Sequence, residues 1–387
     1  MKNAIVCSII ITLLSLLTAC APGAAPPQAP LAATTPAPIA PGIPAINLAS
    51  NLPPPTSEDA AWQKIVEAAK KEGKVTDYSY NFPGDIGIAI NRAFKERYGI
   101  RVDIVTGRGA DFIERVKTER RMGSIMADMS DGGAPYMAIM KNEGLTVGIA
   151  GELPVLREKD VWRADIFGMD PVDRNLIVYR FSTYSTYVNT NLVKPGEEPK
   201  VWRDLLDPRW KGKMILLEPI IQTGAYMMFV PLMREKVIDI EFIKDLYRQD
   251  LMFANSTSDE GRMLSLGERA LSIYGTSAST RRISEGAPLR AIAFKDGTSM
   301  GVSVLVAYKG SPHPNAAKVF INWLLSPEGQ TVYGKAASDE MARKDVPNFL
   351  PEAARVTPPH PIVITNEDND EIAKLFRERW LNKLWGR

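Results

Sequence analysis

Residues 174–219 read RNLIVYRFSTYSTYVNTNLVKPGEEPKVWRDLLDPRWKGKMILLEP. The run at 176–181 is apolar and aromatic, a composition that favours a strand. A second β-like run, 184–188, stops at Asn189-Thr190-Asn191, residues that favour a turn. Past Lys194-Pro195 a short helix is expected over 201–206. Asp207-Pro208 ends it, because a proline drives its predecessor out of the α region. Lys211-Gly212-Lys213 then leads into a strand over 214–217. One strand closes a unit, and the next helix and strand open another, so the chain crosses here between two α/β bodies.

On the N-terminal side, Trp62, Ile65, Val66 and Ala69 recur at helical spacing and Gly73 ends the helix. Strands are expected over 75–80, 101–105 and 126–129, with helices at 83–98, 111–122 and 135–142 between and after them. Gly107-Arg108-Gly109 and Asp131-Gly132-Gly133 are read as loops. Beyond the quoted stretch, Gln222-Thr223-Gly224 opens an apolar helix, followed by helices over 239–250 and 258–266. Strands follow over 270–274, 291–294 and 302–308, then a helix over 314–325 and a last one over 370–385. Strand–helix alternation on this scale predicts an α/β fold of two lobes, each a mainly parallel sheet flanked by helices.

The chain has 387 residues, enough for two lobes with separate cores. Its 47 basic and 45 acidic residues nearly cancel, which argues against a nucleic-acid binder. Lys2 precedes an apolar run over 4–17, the length of a signal-peptide core rather than of a membrane span. The only cysteines are Cys7 and Cys20, so no thiol follows residue 20 and disulfides are excluded from the domain. Residues 21–55 are dominated by Ala and Pro, which cannot bury a core and read as an extended tether.

Several pieces, in order, resemble bacterial extracellular solute-binding proteins of ABC importers, especially the iron(III)-type branch. They are Ala68-Ala69-Lys70-Lys71-Glu72-Gly73-Lys74-Val75, Tyr187-Val188-Asn189-Thr190-Asn191-Leu192-Val193, Trp202-Arg203-Asp204-Leu205-Leu206-Asp207-Pro208, Trp210-Lys211-Gly212-Lys213 and residues 315–329. Leu17-Thr18-Ala19-Cys20 looks like a lipobox, whose cysteine is acylated. The resemblance implies a periplasmic-binding-protein fold of the second type with two crossovers, near 175–182 and 301–309. It further implies a signal peptide at 1–19, a tether at 20–56, lobe 1 at 57–178 and 305–345, lobe 2 at 183–300 and a C-terminal helical segment at 346–387. The expected protein is an exported, lipid-anchored monomer without cofactor. It captures a small anionic solute and hands it to an ABC permease.

In open α/β sheets, ligands bind beyond the carboxyl ends of strands, where helix N-termini favour anions. That rule selects Ser79, Tyr80, Asn81, Arg108, Gly109, Asp131 and Gly132 in the first half, and Thr223, Ser277, Ser279 and Arg281 in the second; Tyr184 and Tyr274 border them. Arg108 between two glycines is the expected charged clamp. Each residue also has a plain reading: Gly107 and Gly109 as turn formers, Ser277 and Ser279 as helix caps. Ferric members of the family commonly use an adjacent tyrosine pair in the second-lobe loop. Here that loop is Ser277-Ala278-Ser279-Thr280, and His313 and His360 sit in Pro-flanked loops. A ferric complex carried with its own chelator stays open. So does the other class, a carbohydrate- or ester-acting enzyme, although no G-x-S-x-G, H-E-x-x-H or P-loop occurs. Cys20→Ser is expected to release the protein from the membrane fraction or leave it unprocessed. Mass spectrometry of the wild type without lipid would overturn the anchor.

Overall fold

The computed structural model describes residues 60–387 except positions 108, 169 and 276. The expected signal peptide and tether, with Cys20, and Arg108 lie outside the described residues.

The first lobe begins with α1 (Ala60–Glu72), which buries Trp62, Val66 and Ala69 on one stripe and stops at Gly73 with φ 73°. There follow β1 (Lys74–Ser79), α2 (Asp85–Tyr98), β2 (Arg101–Thr106), α3 (Gly109–Arg121), β3 (Met129–Gly133), α4 (Ala134–Asn142) and β4 (Thr146–Val147). The quoted stretch supplies β5 (Ile177–Thr183) and β6 (Thr186–Asn189), close to the expected runs. Residues 202–206 form a 3-10 helix rather than an α-helix, since Asp207-Pro208 leaves no room for a full second turn.

The second lobe contains β7 (Met214–Leu217), α5 (Gly224–Arg234), α6 (Ile240–Tyr247), β8 (Met252–Ala254), α7 (Thr257–Ser265), β9 (Leu271–Ser272), α8 (Ser277–Ser284) and β10 (Leu289–Ile292). The chain returns through β11 (Thr298–Tyr308), α9 (Pro314–Leu324) and α10 (Pro327–Ala337). It ends in β12 (Pro361–Val363), α11 (Asn366–Arg377) and α12 (Trp380–Leu384). The single last helix expected from the sequence is broken at Arg379, whose φ of 54° is left-handed.

Two sheets result. The first has the order β12-β11-β3-β1-β2, with β4 and β5 also on β11; the second runs β10-β6-β9-β7-β8. Parallel pairs (β1 with β2 and β3, β7 with β8 and β9) form the heart of each lobe. The strands next to the crossovers pair antiparallel: β5 on β11 in the first sheet, β6 on β10 in the second. Helices cover both faces of the first sheet. Trp62, Phe94, Phe320 and Trp323 fill one side, and Phe112, Met137, Val304 and Tyr308 the other. The second lobe shares its core with the C-terminal segment through Ile372, Leu375, Leu381 and Trp385.

β3 corrects one reading. Asp131 and Gly132 were expected in a loop, but the strand runs through Gly133 because β11 offers a ladder partner to each residue from Met129 to Gly133. Long-range pairing outweighs the weak strand preference of Asp and Gly.

The crossovers are packed tightly. A methyl on Gly301 would lie 1.9 Å from the Tyr184 hydroxyl, and one on Gly275 would lie 1.9 Å from the Tyr187 ring. Gly301→Ala is therefore expected to displace Tyr184 and destabilise the fold by about 1–3 kcal/mol, the usual range for overpacking. Chemical denaturation of both proteins checks this.

Candidate functional site

In the second lobe, β7, β8 and β9 are parallel and each feeds a helix: β7 leads to α5, β8 to α7 and β9 to α8. Right-handed strand–helix units put all three helix N-termini at one edge. That edge faces the first-lobe loops after β1 and β2. Between them lies a cleft of about 590 Å³, lined on one side by Tyr80, Asn81, Gly107 and Tyr136 and on the other by Thr223, Gly224, Ser256, Thr257, Ser277 and Arg281. The crossover residues Arg180, Tyr184 and Ser185 form its floor.

Of the residues selected from the sequence, Tyr80, Asn81, Tyr184, Thr223, Tyr274, Ser277 and Arg281 line this cleft. Others are turned away from it. The Ser79 hydroxyl donates to Asp131 at 2.7 Å, and both residues are fully buried. The Ser279 hydroxyl donates at 2.9 Å to the buried Glu260 carboxylate. Gly132 lies within β3, and Gly109 packs on the Tyr136 ring, where a methyl would come within 2.5 Å. These five residues support the wall from behind.

Arg180 was missed. It sits within the apolar strand β5, and its Nε donates to Ser303 Oγ at 3.2 Å while Nη1 donates to Tyr333 OH at 3.3 Å and pairs with Asp339. Nη2 takes no partner among the described residues and the side chain lines the cleft. Burial opposes its charge, but Asp339 and the surrounding phenols outweigh that and hold its pKa well above the usual value. The available signal was an arginine inside the apolar and aromatic run at 176–181, which a charged residue rarely occupies without a partner.

The phenols are held neutral. Burial pushes both the Tyr184 and the Tyr274 hydroxyls up, although Arg180 pulls the other way. Their rings lie 5.1 Å apart. Tyr136 OH donates to Thr223 Oγ1 at 3.3 Å, bridging the lobes across the cleft. Asn81 Nδ2 donates to Tyr179 OH at 2.9 Å, which fixes the amide at the rim.

Among the described residues, the charges lining the cleft are Arg180, Arg281 and Arg355 against Asp339 and Glu340: three cations less two anions leave +1. Both acids are engaged, Asp339 by Arg180 and Glu340 by Arg163 at 3.0 Å. Arg281 has no ion pair among the described residues, and Arg355 donates only to the Leu350 and Asn348 carbonyls. At α5 no side chain caps the first turn, so its N–H groups remain for a ligand.

Residues 89–355 match the family model described as bacterial extracellular solute-binding protein. The chain belongs to that family. Among solved structures, the periplasmic binding protein AfuA from Actinobacillus pleuropneumoniae, with fructose-6-phosphate bound, is 19% identical with a TM-score of 0.67. That match covers 80% of this chain and 97% of AfuA. Iron-bound HitA from Pseudomonas aeruginosa is 20% identical with a TM-score of 0.64, covering 79% and 98%. The spermidine/putrescine substrate-binding protein PotD from Streptococcus pneumoniae is 16% identical with a TM-score of 0.62, covering 81% and 99%. These likenesses establish the two-lobe periplasmic-binding-protein fold. A Haemophilus influenzae relative described only as uncharacterized is 34% identical over 157 residues, which is 38% of this chain and 44% of that protein. By family this chain is thus an extracellular solute-binding protein.

Two neighbouring serines on α8 separate binding from support. Ser279→Ala removes a hydroxyl that Glu260 accepts and is expected to cost about 1–3 kcal/mol of stability with little change in solute affinity. Ser277→Ala should leave the melting temperature unchanged and weaken solute binding by about 1 kcal/mol. Thermal unfolding and calorimetry of the two variants distinguish the roles.

Proposed function

We propose that the solute is a small anion, held between the lobes by Arg180, Arg281 and the open α5 N-terminus and passed to an ABC permease after hinge closure. The observation that carries this is the uncompensated positive lining, with both acids already paired. Arg281 and Arg355, exposed at the rim and without an ion pair among the described residues, are left to pair with an anionic solute, and Arg180 adds its open Nη2 from the floor. Tyr80, Asn81, Thr223, Tyr274 and Ser277 add neutral donors, which suits a hydroxylated organic anion such as a sugar phosphate, phosphonate or hydroxycarboxylate. The solute drives closure to the extent that it binds the closed lobes more tightly than the open ones. The expected lipid anchor at Cys20 holds such a domain at the membrane, and one domain per permease serves as a monomer.

The tyrosines at the cleft favour a second reading, a ferric ion or ferric complex. Bare Fe(III) requires ionised phenolate, and burial raises the cost of ionising Tyr184 and Tyr274. His313 is held by Asp128 at 3.0 Å and does not line the cleft. A ferric chelate with its own negative charge fits the positive lining better than the bare ion does.

A thermal-shift panel of sulfate, phosphate, hexose phosphates, phosphonates, citrate, ferric citrate and spermidine tests the reading, since a ligand of the native state raises the midpoint. Anions are expected to shift it and spermidine is not. Arg281→Ala should weaken the best anion about 10- to 150-fold, the loss of one charge-assisted hydrogen bond. A one-to-one visible charge-transfer band on adding a labile ferric salt would instead establish ferric binding by tyrosinate.

A further inference from the structure

Behind the cleft wall lie two carboxyl groups that the site above does not use. Asp77 on β1 and Asp131 on β3 are both fully buried. The strands are parallel with Ser79 opposite Asp131, so Asp77, Ser79 and Asp131 share one sheet face. Neither oxygen of Asp77 has a hydrogen-bond partner among the described residues. Asp131 accepts the Ser79 hydroxyl at 2.7 Å and the Asn81 backbone N–H at 3.3 Å. Asn81 and its neighbour Tyr80 line the cleft, so Asp131 stands one residue behind the solute.

The groups facing this pair come from several elements. Asp128, just before β3, is held by His313 and the Thr76 N–H. Tyr179 and Arg180 on β5, Tyr308 on β11 and Tyr333 on α10 complete the surroundings. Arg180 is the cation among them, and it is already engaged by Asp339. Two adjacent buried carboxylates with so little compensation cannot both ionise at neutral pH. Burial, then the Asp131 charge, push the Asp77 carboxyl well up; burial pushes Asp131 up to about 6 against its hydrogen bonds.

We propose that Asp77 and Asp131 hold one proton between them when the cleft is empty and take up a second when an anion binds, so that solute capture is coupled to proton uptake. This rests on the anionic reading of the cleft. An anion beside Asn81 disfavours negative charge on Asp131, and by reciprocity the protonated Asp131 favours the anion. Protonation leaves the wall in place. One Asp131 oxygen still accepts the Asn81 N–H, and the Ser79 hydroxyl can turn to accept from the other. The field in the cleft changes and its shape does not. Asp131 is thus a positioning residue for Asn81 and a charge switch for the solute. Because both folded-state values lie above the unfolded ones, the pair stabilises the ligand-free fold in acid, and that contribution is lost as pH rises through the folded-state values.

Sulfate is the probe, because it stays dianionic across the range used. Carbon-13 carboxyl NMR follows Asp131 in the ligand-free protein. Calorimetry in buffers of different ionisation enthalpy follows sulfate binding between roughly pH 5.5 and 8. The wild type is expected to titrate Asp131 in mild acid, to bind sulfate more tightly as pH falls and to take up protons on binding. Asp131→Asn is neutral and nearly isosteric. It should bind sulfate about fivefold or more tightly than wild type at the alkaline end and lose the pH dependence. Asp77→Asn mimics the protonated partner and should keep the wild-type dependence; loss of the slope in that variant would overturn the assignment to Asp131. Asp131 titrating in the ordinary carboxylate range, with sulfate bound, would sink the coupling and leave the anionic reading intact. A mildly acidic Asp131 in a protein that binds none of the anions in the panel would sink the anionic reading and the coupling with it.

Discussion

The antiparallel pairing of β5 with β11 is the constraint on which the rest of this molecule depends. Both strands lead directly into the segments that pass between lobes, and they lie side by side from Met300 opposite Thr183 to Leu305 opposite Ile177. Two adjacent hydrogen-bonded connections form a ribbon that bends more readily than it shears. Lobe motion is thereby confined to rotation about one line. The same ribbon carries the cleft floor. Arg180 on β5 reaches Ser303 on β11, so the buried cation is braced by both crossovers at once. Glycine at position 301 lets Tyr184 lie flat against the return strand, and a side chain there would push the phenol into the cleft. The hinge and the binding floor are therefore made of the same residues.

The electrostatics follow from this placement. Arg180 sits in a low-dielectric floor, where its charge is tolerable because Asp339 approaches from the segment after α10. That partner comes from the first lobe's late return, about 160 residues further along the chain. The second lobe supplies Arg281 and helix N-termini instead of acids. The floor and the second-lobe wall thus contribute different kinds of donor, a fixed paired guanidinium from one and open backbone dipoles with a guanidinium unpaired among the described residues from the other. The proposed anion, bridging them, would complete an arrangement that neither lobe satisfies alone, which is the differential interaction closure requires.

Legibility from sequence divides along the same line. The stretch 174–219 exposes the crossover because strand, turn and helix signals there are local. Met214–Leu217 is a strand in both readings. The rule that ligands gather at strand carboxyl ends brought Tyr80, Asn81, Thr223, Ser277 and Arg281 to one cleft, since it depends only on element order. It failed where long-range pairing decided the local state. Asp131-Gly132 looks like a loop by composition, but β11 captures it as strand, and a carboxylate expected to face solute becomes a buried support. Arg180 and Asp339 could not be joined from sequence, because nothing local signals an ion pair across 159 positions. Arg108 and the anchor at Cys20 lie outside the described residues and remain expectations.

The C-terminal segment adds a connection that the two-crossover description omits. The family match ends at residue 355, yet α11 and α12 are integral to the second lobe's core through Ile372, Leu381 and Trp385. Trp385 stacks on Tyr247 at 4.9 Å, and Arg234 on α5 pairs with Asp368 at the start of α11. The other side of α11 touches α4 of the first lobe. Phe376 and Arg377 there border a groove of about 270 Å³ that shares Tyr136 and Thr223 with the main cleft. Because α11 is fixed to one lobe by its core and touches α4 of the other beside this groove, rotation of the lobes is expected to slide α4 against α11. The Tyr136–Thr223 contact lies on both surfaces, so closing the cleft and moving that helix are one motion rather than two.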